Sequence, residues 1–269
     1  MHPIERLRWI ARAEDEPAAS LASEAAYTLG DLAYFEPNAL LTACRRLLAS
    51  HAECGPLWWV AAQVMAASDP HEAARHAAAE LCSDQTPERV AEALRASVAG
   101  GEGVVVTTPF ELCLQALVLS RVYALRFVAQ PWLLRRAIRS FDGSASELAG
   151  YPSGEEDEAV AGASVLLVEA LASGPSACLV DPVAGEALEA ATRAGVPAWL
   201  IVGTGRALPL WLFEEARERT EADDPDGRAA VVTLDMFALA IGPEGQGDPV
   251  AVGGAVTCPP GRELLRRAI

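Results

Sequence analysis

The sequence predicts an α/β protein in which an N-terminal helical bundle is followed by an open, mostly parallel, Rossmann-like sheet flanked by helices. Residues 1–98 are rich in Ala, Leu, Glu and Arg, and their apolar residues recur at helical spacing, as at Leu40, Cys44 and Leu47. In residues 99–269, short β-branched runs alternate with helix-length segments, which is the pattern of βαβ units. We therefore expect a helical domain at 1–98 and an α/β domain at 99–269.

The helical half divides at the loop-like stretches EDEP, FEPN, HAECGP and SDPHE. Pro37, Pro56 and Pro70 each follow such a break, and proline is favoured in the first turn of a helix because its missing N–H would have no partner there. These breaks predict four or five short helices.

The α/β half contains apolar runs that suit strands buried on both faces of a parallel sheet. Predicted strands cover residues 103–108, 124–131, 164–170 and 197–203, with a last short strand at 229–234. Predicted helices between and after them cover residues 110–122, 132–139, 184–195 and 208–219. An open parallel sheet binds ligands at the carboxyl ends of its strands, so the strand exits are the candidate site.

Composition excludes several classes of function. The chain of 269 residues carries 37 acidic and 21 basic residues, a net charge of −16 that repels nucleic acid and anionic membranes. It contains no lysine, so Schiff-base chemistry and a Walker-type phosphate loop are excluded. The six cysteines are scattered without a Cys-x-x-Cys pair, and no apolar segment is long enough for a signal peptide or membrane span. We expect a cytoplasmic protein with reduced thiols, no metal and no cofactor.

The strand exits offer one turn suited to a small anion. Gly203, Thr204, Gly205 and Arg206 lie between a predicted strand and a predicted helix. Backbone N–H groups, the helix dipole and an arginine can together hold a phosphate or carboxylate. The alternative is an ordinary glycine-rich turn with a solvated arginine.

Two acidic residues near the strand exits are candidates for acid/base chemistry. Glu169 and Asp181 could face one another, and burial beside a like charge would raise the pKa of one of them. In the alternative, Glu169 caps a helix or pairs with an arginine, and Asp181 begins a turn before Pro182.

The segment Val165–Pro209 is similar to the signature region of the initiation factor 2B regulatory-subunit family, which includes methylthioribose-1-phosphate and ribose-1,5-bisphosphate isomerases. The phrase Ala-Gly-Val-Pro at Ala194–Pro197 and the strand after it match closely, and Val232–Gly245 resembles the family's closing segment. The resemblance implies a helical half before an α/β half, a homodimer, and a phosphate contact at the turn Gly203–Arg206.

The chain departs from this family at the catalytic positions. Thr107-Thr108-Pro109 stands where the isomerases carry their cysteine, and Cys113, one helical turn further on, is predicted to be a buried thiol. Glu169 aligns with the catalytic aspartate, Gln130 with an arginine, and Asp181–Gly185 with an Asn-x-x-Gly-Thr turn. An isomerase needs an acid/base pair and an anion clamp, so we expect its activity to be lost.

The sequence therefore predicts a divergent, non-catalytic member that binds a small phosphorylated ligand, a sugar phosphate or nucleotide, in a regulatory or assembly role. Its predicted ligand-binding residues are Thr107, Thr108, Gln130 and the turn Gly203–Arg206, with Glu169 and Asp181 at the catalytic positions. Two alternatives remain open: an active sugar-phosphate isomerase that uses Glu169 and Asp181, and a protein-interaction scaffold with a dead pocket.

Overall fold

The computed structural model describes residues 2–13, 16–98, 103–122, 124–141, 147–223 and 227–265. The helices of its N-terminal half are α1 (Pro3–Ile10), α2 (Ala18–Phe35), α3 (Leu40–Ser50), α4 (Gly55–Ala66), α5 (Pro70–Cys82) and α6 (Thr86–Ser97), with a 3-10 turn at Pro37–Ala39. Pro37, Pro56 and Pro70 all lie in first turns, as predicted. The prediction of four or five helices was wrong, because it missed the break at residues 83–85. This break separates α5 from α6.

The α/β half forms one sheet with helices on both faces, which confirms the predicted fold class. Its strands are β1 (Val104–Thr107), β2 (Ala124–Ala129), β3 (Glu147–Pro152), β4 (Val165–Ser173), β5 (Ala177–Val180), β6 (Ala198–Ile201), β7 (Ala230–Thr233), β8 (Leu239–Gly242) and β9 (Gly245–Gly247). Its helices are α7 (Glu111–Ser120), α8 (Pro131–Phe141), α9 (Glu156–Val160), α10 (Pro182–Ala194), α11 (Leu210–Asp223) and α12 (Pro249–Gly253).

The strands run in the order β3-β2-β1-β4-β6-β8-β9, and all neighbours in this path are parallel except β8 and β9. The far end of β4 leaves this path and pairs antiparallel with β5, which pairs antiparallel with β7. The predicted run 229–234 thus forms a strand in this side extension. Strands β3, β5, β8 and β9 were not predicted; β3, β8 and β9 contain Gly, which weakens a strand pattern.

The two faces of the sheet bury separate apolar cores. On one face, Val168 and Val180 pack with Val183 and Leu188 of α10. On the other, Leu167 belongs to a core that contains residues of α6, α7 and α8. Alternate residues of β4 therefore point to different helices, as period-two geometry requires.

A third core joins the helical half to the α/β half. Leu57 and Trp58 of α4 belong to the same buried cluster as Leu212 and Phe213 of α11. The predicted division at residue 98 borders residues 99–102, which lie outside the described residues. None of the described helices is long and apolar enough to cross a membrane.

Candidate functional site

The carboxyl ends of β1, β4 and β6 meet at one edge of the sheet. Thr107 pairs in register with Leu167, and Glu169 pairs with Ile201. The turn Gly203–Arg206 follows β6 directly, so Thr107, Glu169 and this turn lie at one edge, as the strand order requires.

Glu169 uses both carboxylate oxygens within the protein. Its Oε1 accepts a hydrogen bond from Nη2 of Arg206 at 2.7 Å. Its Oε2 accepts hydrogen bonds from the backbone N–H groups of Leu112 at 2.8 Å and Cys113 at 3.1 Å, in the first turn of α7. The carboxylate therefore caps the positive end of a helix and is paired with a cation.

Arg206 turns inward from the strand-end turn. Its guanidinium and the Glu169 carboxylate are each only 2% exposed, and Nη1 donates to the carbonyl oxygen of Ala170. Gly205, one residue earlier, has φ 77°, a left-handed conformation that favours glycine. These contacts match the alternative in which Glu169 caps a helix and pairs with an arginine; anion binding by Arg206 stays a prediction.

Burial sets the protonation of the buried groups. Desolvation raises the pKa of Glu169, while the positive charge of Arg206 and the two N–H groups of α7 oppose that rise. Desolvation also raises the pKa of the Cys113 thiol, and the nearby Glu169 carboxylate adds to the effect. Cys113 is therefore a buried neutral thiol rather than a thiolate nucleophile.

Asp181 lies at the end of β5 and caps a different helix. Its Oδ1 accepts hydrogen bonds from the N–H groups of Val183 at 2.9 Å and Ala184 at 3.3 Å, at the start of α10. Burial raises its pKa, and these hydrogen bonds oppose the rise. Because α7 and α10 pack on opposite faces of the sheet, the structure does not bring the Glu169 and Asp181 carboxylates together.

The other predicted ligand-binding residues differ in exposure. The hydroxyl of Thr107 is buried and donates to the carbonyl oxygen of Leu167 at 3.1 Å. The hydroxyl of Thr108 is buried and has no hydrogen-bond partner among the described residues. Gln130 is exposed between β2 and α8. The structure thus gathers Thr107 beside Glu169 but leaves Gln130 on the surface.

The strand-end turn binds a carboxylate that sequence reasoning missed. The N–H of Thr204 donates to Oδ2 of Asp84 at 2.8 Å, across 120 positions of sequence. The N–H of Thr86 at 2.9 Å and its hydroxyl at 2.6 Å donate to Oδ1 of Asp84. The signal was present in Asp84-Gln85-Thr86-Pro87, an aspartate turn just before a helix whose first turn contains proline.

Gly203 allows this close approach. A Cβ at residue 203 would lie 2.4 Å from Cδ1 of Leu112 and 2.7 Å from Oδ2 of Asp84. A side chain at residue 203 would therefore have to displace the Leu112 or the Asp84 side chain.

The charges around the turn are mostly negative. Arg206 faces Glu169, and Glu111, whose charge also raises the pKa of Glu169, lies nearby at the start of α7. Oε2 of Glu111 accepts from the N–H of Ala19 at 3.3 Å, a second contact between the helical half and the strand ends. We call Asp84, Glu169 and the turn Gly203–Arg206 the strand-end centre.

In the part of the chain that the structure describes, no group of three or more His, Cys, Asp or Glu could hold a metal ion.

The fold and the strand-end centre define an α/β protein of the Rossmann-like class with a helical N-terminal half. Solved structures with a similar fold include subunits of initiation factor 2B. The translation initiation factor eIF-2B of Pyrococcus horikoshii OT3 matches with a TM-score of 0.72 and 13% identity, covering 92% of this chain and 97% of that chain. The eIF2B beta subunit of Chaetomium thermophilum matches with a TM-score of 0.63 and 16% identity, over 94% of this chain and 88% of that chain.

A chain of the tetrameric eIF2B-beta2-delta2 complex from C. thermophilum matches with a TM-score of 0.66 and 15% identity, covering 94% of this chain and 92% of that chain. No family model and no curated protein matches the chain. At these identities the likeness shows the fold. The predicted resemblance is confirmed at that level: this chain has the fold of initiation factor 2B subunits.

Proposed function

We propose that the chain is a divergent, non-catalytic member of the initiation factor 2B regulatory-subunit family, with a regulatory or assembly role and a site for a small phosphorylated ligand. The observation that carries this proposal is the complete engagement of Glu169. Both of its oxygens accept hydrogen bonds from buried donors of the protein itself.

An aldose–ketose isomerase needs an acid/base group that exchanges protons with substrate. Glu169 has no such access, because its carboxylate is 2% exposed and held by Arg206. Its candidate partner Asp181 caps α10 on the opposite face, so the isomerase alternative lacks a pair that could act on one substrate. Cys113, the thiol nearest the isomerases' catalytic position, is buried and neutral.

An assembly role is supported by the neighbours and by the surface. One structural neighbour is a chain of a beta2-delta2 tetramer, and the match covers 92% of that neighbouring chain. Large apolar side chains are exposed on the surface of this chain, and they include Trp132 at 51%, Leu210 at 51% and Trp211 at 39%. Aromatic residues on exposed surfaces are enriched at protein interfaces, which favours a homodimer or a larger assembly.

A ligand site is supported by the Gly203–Arg206 turn. Its Thr204 N–H already binds an oxyanion, the carboxylate of Asp84, at 2.8 Å, so the turn has the chemistry that a phosphate group requires. The six cysteines are all free thiols, which fits the proposed cytoplasmic location.

Two measurements test the proposal together: turnover of sugar phosphates and the molecular mass of the chain in solution. The purified chain is assayed for isomerisation of pentose phosphates, including methylthioribose-1-phosphate, while sedimentation equilibrium gives its molecular mass. We expect no turnover and a mass of at least two chains. Turnover that is lost in Glu169→Gln would establish the isomerase instead, and a monomer at all concentrations would contradict the homodimer.

A further inference from the structure

We propose that a cavity between the helical half and α11 is a binding site for a small zwitterion of the amino-acid class. The cavity has a volume of about 270 Å³ and lies between the end of α1, the connection from α3 to α4, and the C-terminal half of α11. The residues that line it are distinct from those of the strand-end centre. The inference goes beyond the proposed function, because it adds a second site for a different class of ligand.

Arg219, on the wall of this cavity, holds a buried donor that the protein does not use. Its side chain is 3% exposed; Nε donates to Oε1 of Glu215 at 2.8 Å, and Nη2 donates to the carbonyl oxygen of Leu264 at 3.1 Å. Its Cζ atom lies 4.9 Å from the centroid of the Trp58 ring. None of the described residues accepts a hydrogen bond from the remaining nitrogen, Nη1. Because a buried guanidinium N–H without an acceptor is costly, Nη1 requires an oxygen atom from outside the chain.

The same cavity also offers acceptors. Glu53 lines it, is half-buried, and makes no hydrogen bond or ion pair with another described residue. The hydroxyl of Thr220 donates to the carbonyl oxygen of Ala216 at 2.8 Å, so its oxygen keeps lone pairs for a donor in the cavity. A ligand that satisfies the cavity therefore carries an oxyanion for Arg219 and N–H or O–H donors for Glu53 and Thr220.

The charges around the cavity favour a zwitterion over a phosphate. The carboxylate of Glu215 already lies 2.7 Å from Nη2 of Arg219 and balances its charge. Arg228 adds a cation on the cavity wall, where its Nη1 donates to the carbonyl oxygen of Ser50 at 3.2 Å, and Glu53 adds an anion. A phosphate dianion would be repelled by Glu53, whereas an α-amino acid presents a carboxylate to the arginines and an ammonium group to Glu53.

The size and position of the cavity fit a small molecule that joins the two halves. Drug-sized ligands fill pockets of roughly 300–1,000 Å³, so a cavity of about 270 Å³ admits a smaller one. Ala49 lines the cavity and is exposed, so the cavity opens to solvent beside α3. Because Glu53 belongs to the helical half and Arg219 to the α/β half, a bound ligand should stabilise the contact between the halves.

Thermal unfolding tests the site with defined probes. The purified chain is heated with each of the common L-amino acids in turn, and with acetate, methylammonium and inorganic phosphate, at equal ionic strength. Ala49→Phe fills the mouth of the cavity from an exposed helical position. Its matched control is Ala79→Phe, at an exposed position of α5 outside the cavity. Glu53→Gln removes the charge that the ammonium group needs and keeps the size of the side chain.

We expect at least one amino acid to raise the unfolding midpoint of wild type and Ala79→Phe by roughly 2–4 °C at ten times its Kd. The shift should disappear in Ala49→Phe and fall at least by half in Glu53→Gln, and acetate, methylammonium and phosphate should not reproduce it. Absence of any amino-acid shift in wild type, or an equal shift in Ala49→Phe, would overturn the proposal. A shift by phosphate that Ala49→Phe abolishes would contradict it too, because the cavity would then bind an anion and not a zwitterion.

Discussion

Two carboxylates flank the Gly203–Arg206 turn, and they differ in how the protein holds them. Glu169 lies beneath the turn, 2% exposed, with Arg206 as its counter-ion and the start of α7 as its second partner. Asp84 lies above it, half-buried, and binds backbone and hydroxyl donors of Thr86 and Thr204. The Glu169–Arg206 contact lies within the α/β half, whereas the Asp84–Thr204 contact joins the two halves. Burial therefore distinguishes a buried ion pair from a half-buried carboxylate that is held by uncharged donors at the same strand ends.

The largest effect is expected at the buried pair. Arg206→Ala leaves the Glu169 charge without its cation, which should lower the free energy of unfolding by about 3–5 kcal/mol. Urea unfolding at neutral pH measures the change. The control is Arg193→Ala, which breaks an exposed ion pair with Asp157 and should have little effect. Equal losses in the two variants would show that the Glu169–Arg206 pair is not a structural centre.

A side chain at residue 203 should strain both carboxylate contacts at once. Gly203→Ala places a methyl group against Leu112 and the Asp84 carboxylate, so we expect a loss of about 1–3 kcal/mol in urea unfolding. Gly247→Ala is the matched control, because a Cβ there meets its nearest neighbour, Val252, at an ordinary 3.6 Å. If Gly203→Ala left the free energy of unfolding unchanged, α7 and Asp84 would not pack closely against the turn.

Removal of the half-buried Asp84 carboxylate should cost less than removal of the buried Arg206 cation. Asp84→Ala loses a helix-capping interaction and the hydrogen bond to Thr204, for which about 1–2 kcal/mol is expected. The measurement is urea unfolding in parallel with Arg206→Ala. A loss as large as that of Arg206→Ala would contradict the distinction between the two sites.

The smallest expected effect is the slow alkylation of the buried thiols, and its test needs no mutation. Burial raises the pKa values of Cys44 and Cys54 to about 12, so at pH 8 only about one such thiol in ten thousand is ionised. Iodoacetamide should therefore label exposed Cys82 and leave the buried cysteines intact in the native protein. Rapid native labelling of Cys54 or Cys113 would show that the strand ends are more open than the contacts indicate. Mass spectrometry of peptides reads out each site.

The fold could be predicted because the burial of each strand and helix leaves a regular pattern of apolar residues in the sequence. The run 103–108 is apolar and β-branched because β1 is covered on both faces, by the α6–α8 side and the α10 side. Strand β9 was missed because its three residues, two of them glycine, carry no periodic signal, and its pairing with β8 is decided by tertiary contacts. The break between α5 and α6 was missed, although Asp84-Gln85-Thr86-Pro87 contains the aspartate turn and the first-turn proline that mark a helix start.

The site was harder to predict than the fold. The positions of Glu169 and the turn at the strand ends followed from topology, and both interpretations of Glu169 could be stated from the sequence. Which one applies depends on whether Arg206 points inward, and a glycine-rich turn permits either direction. The contact of Asp84 with Thr204 joins residues 120 positions apart, and no local pattern reports such a distance.

The most direct test of the account is thermal unfolding of the wild-type chain against one panel of sugar phosphates and nucleotides, with each compound recovered and identified afterwards. If the chain binds a phosphorylated ligand without turning it over, at least one compound should raise the unfolding midpoint and be recovered unchanged. A panel that shifts nothing, or a compound that the chain converts, would contradict the account.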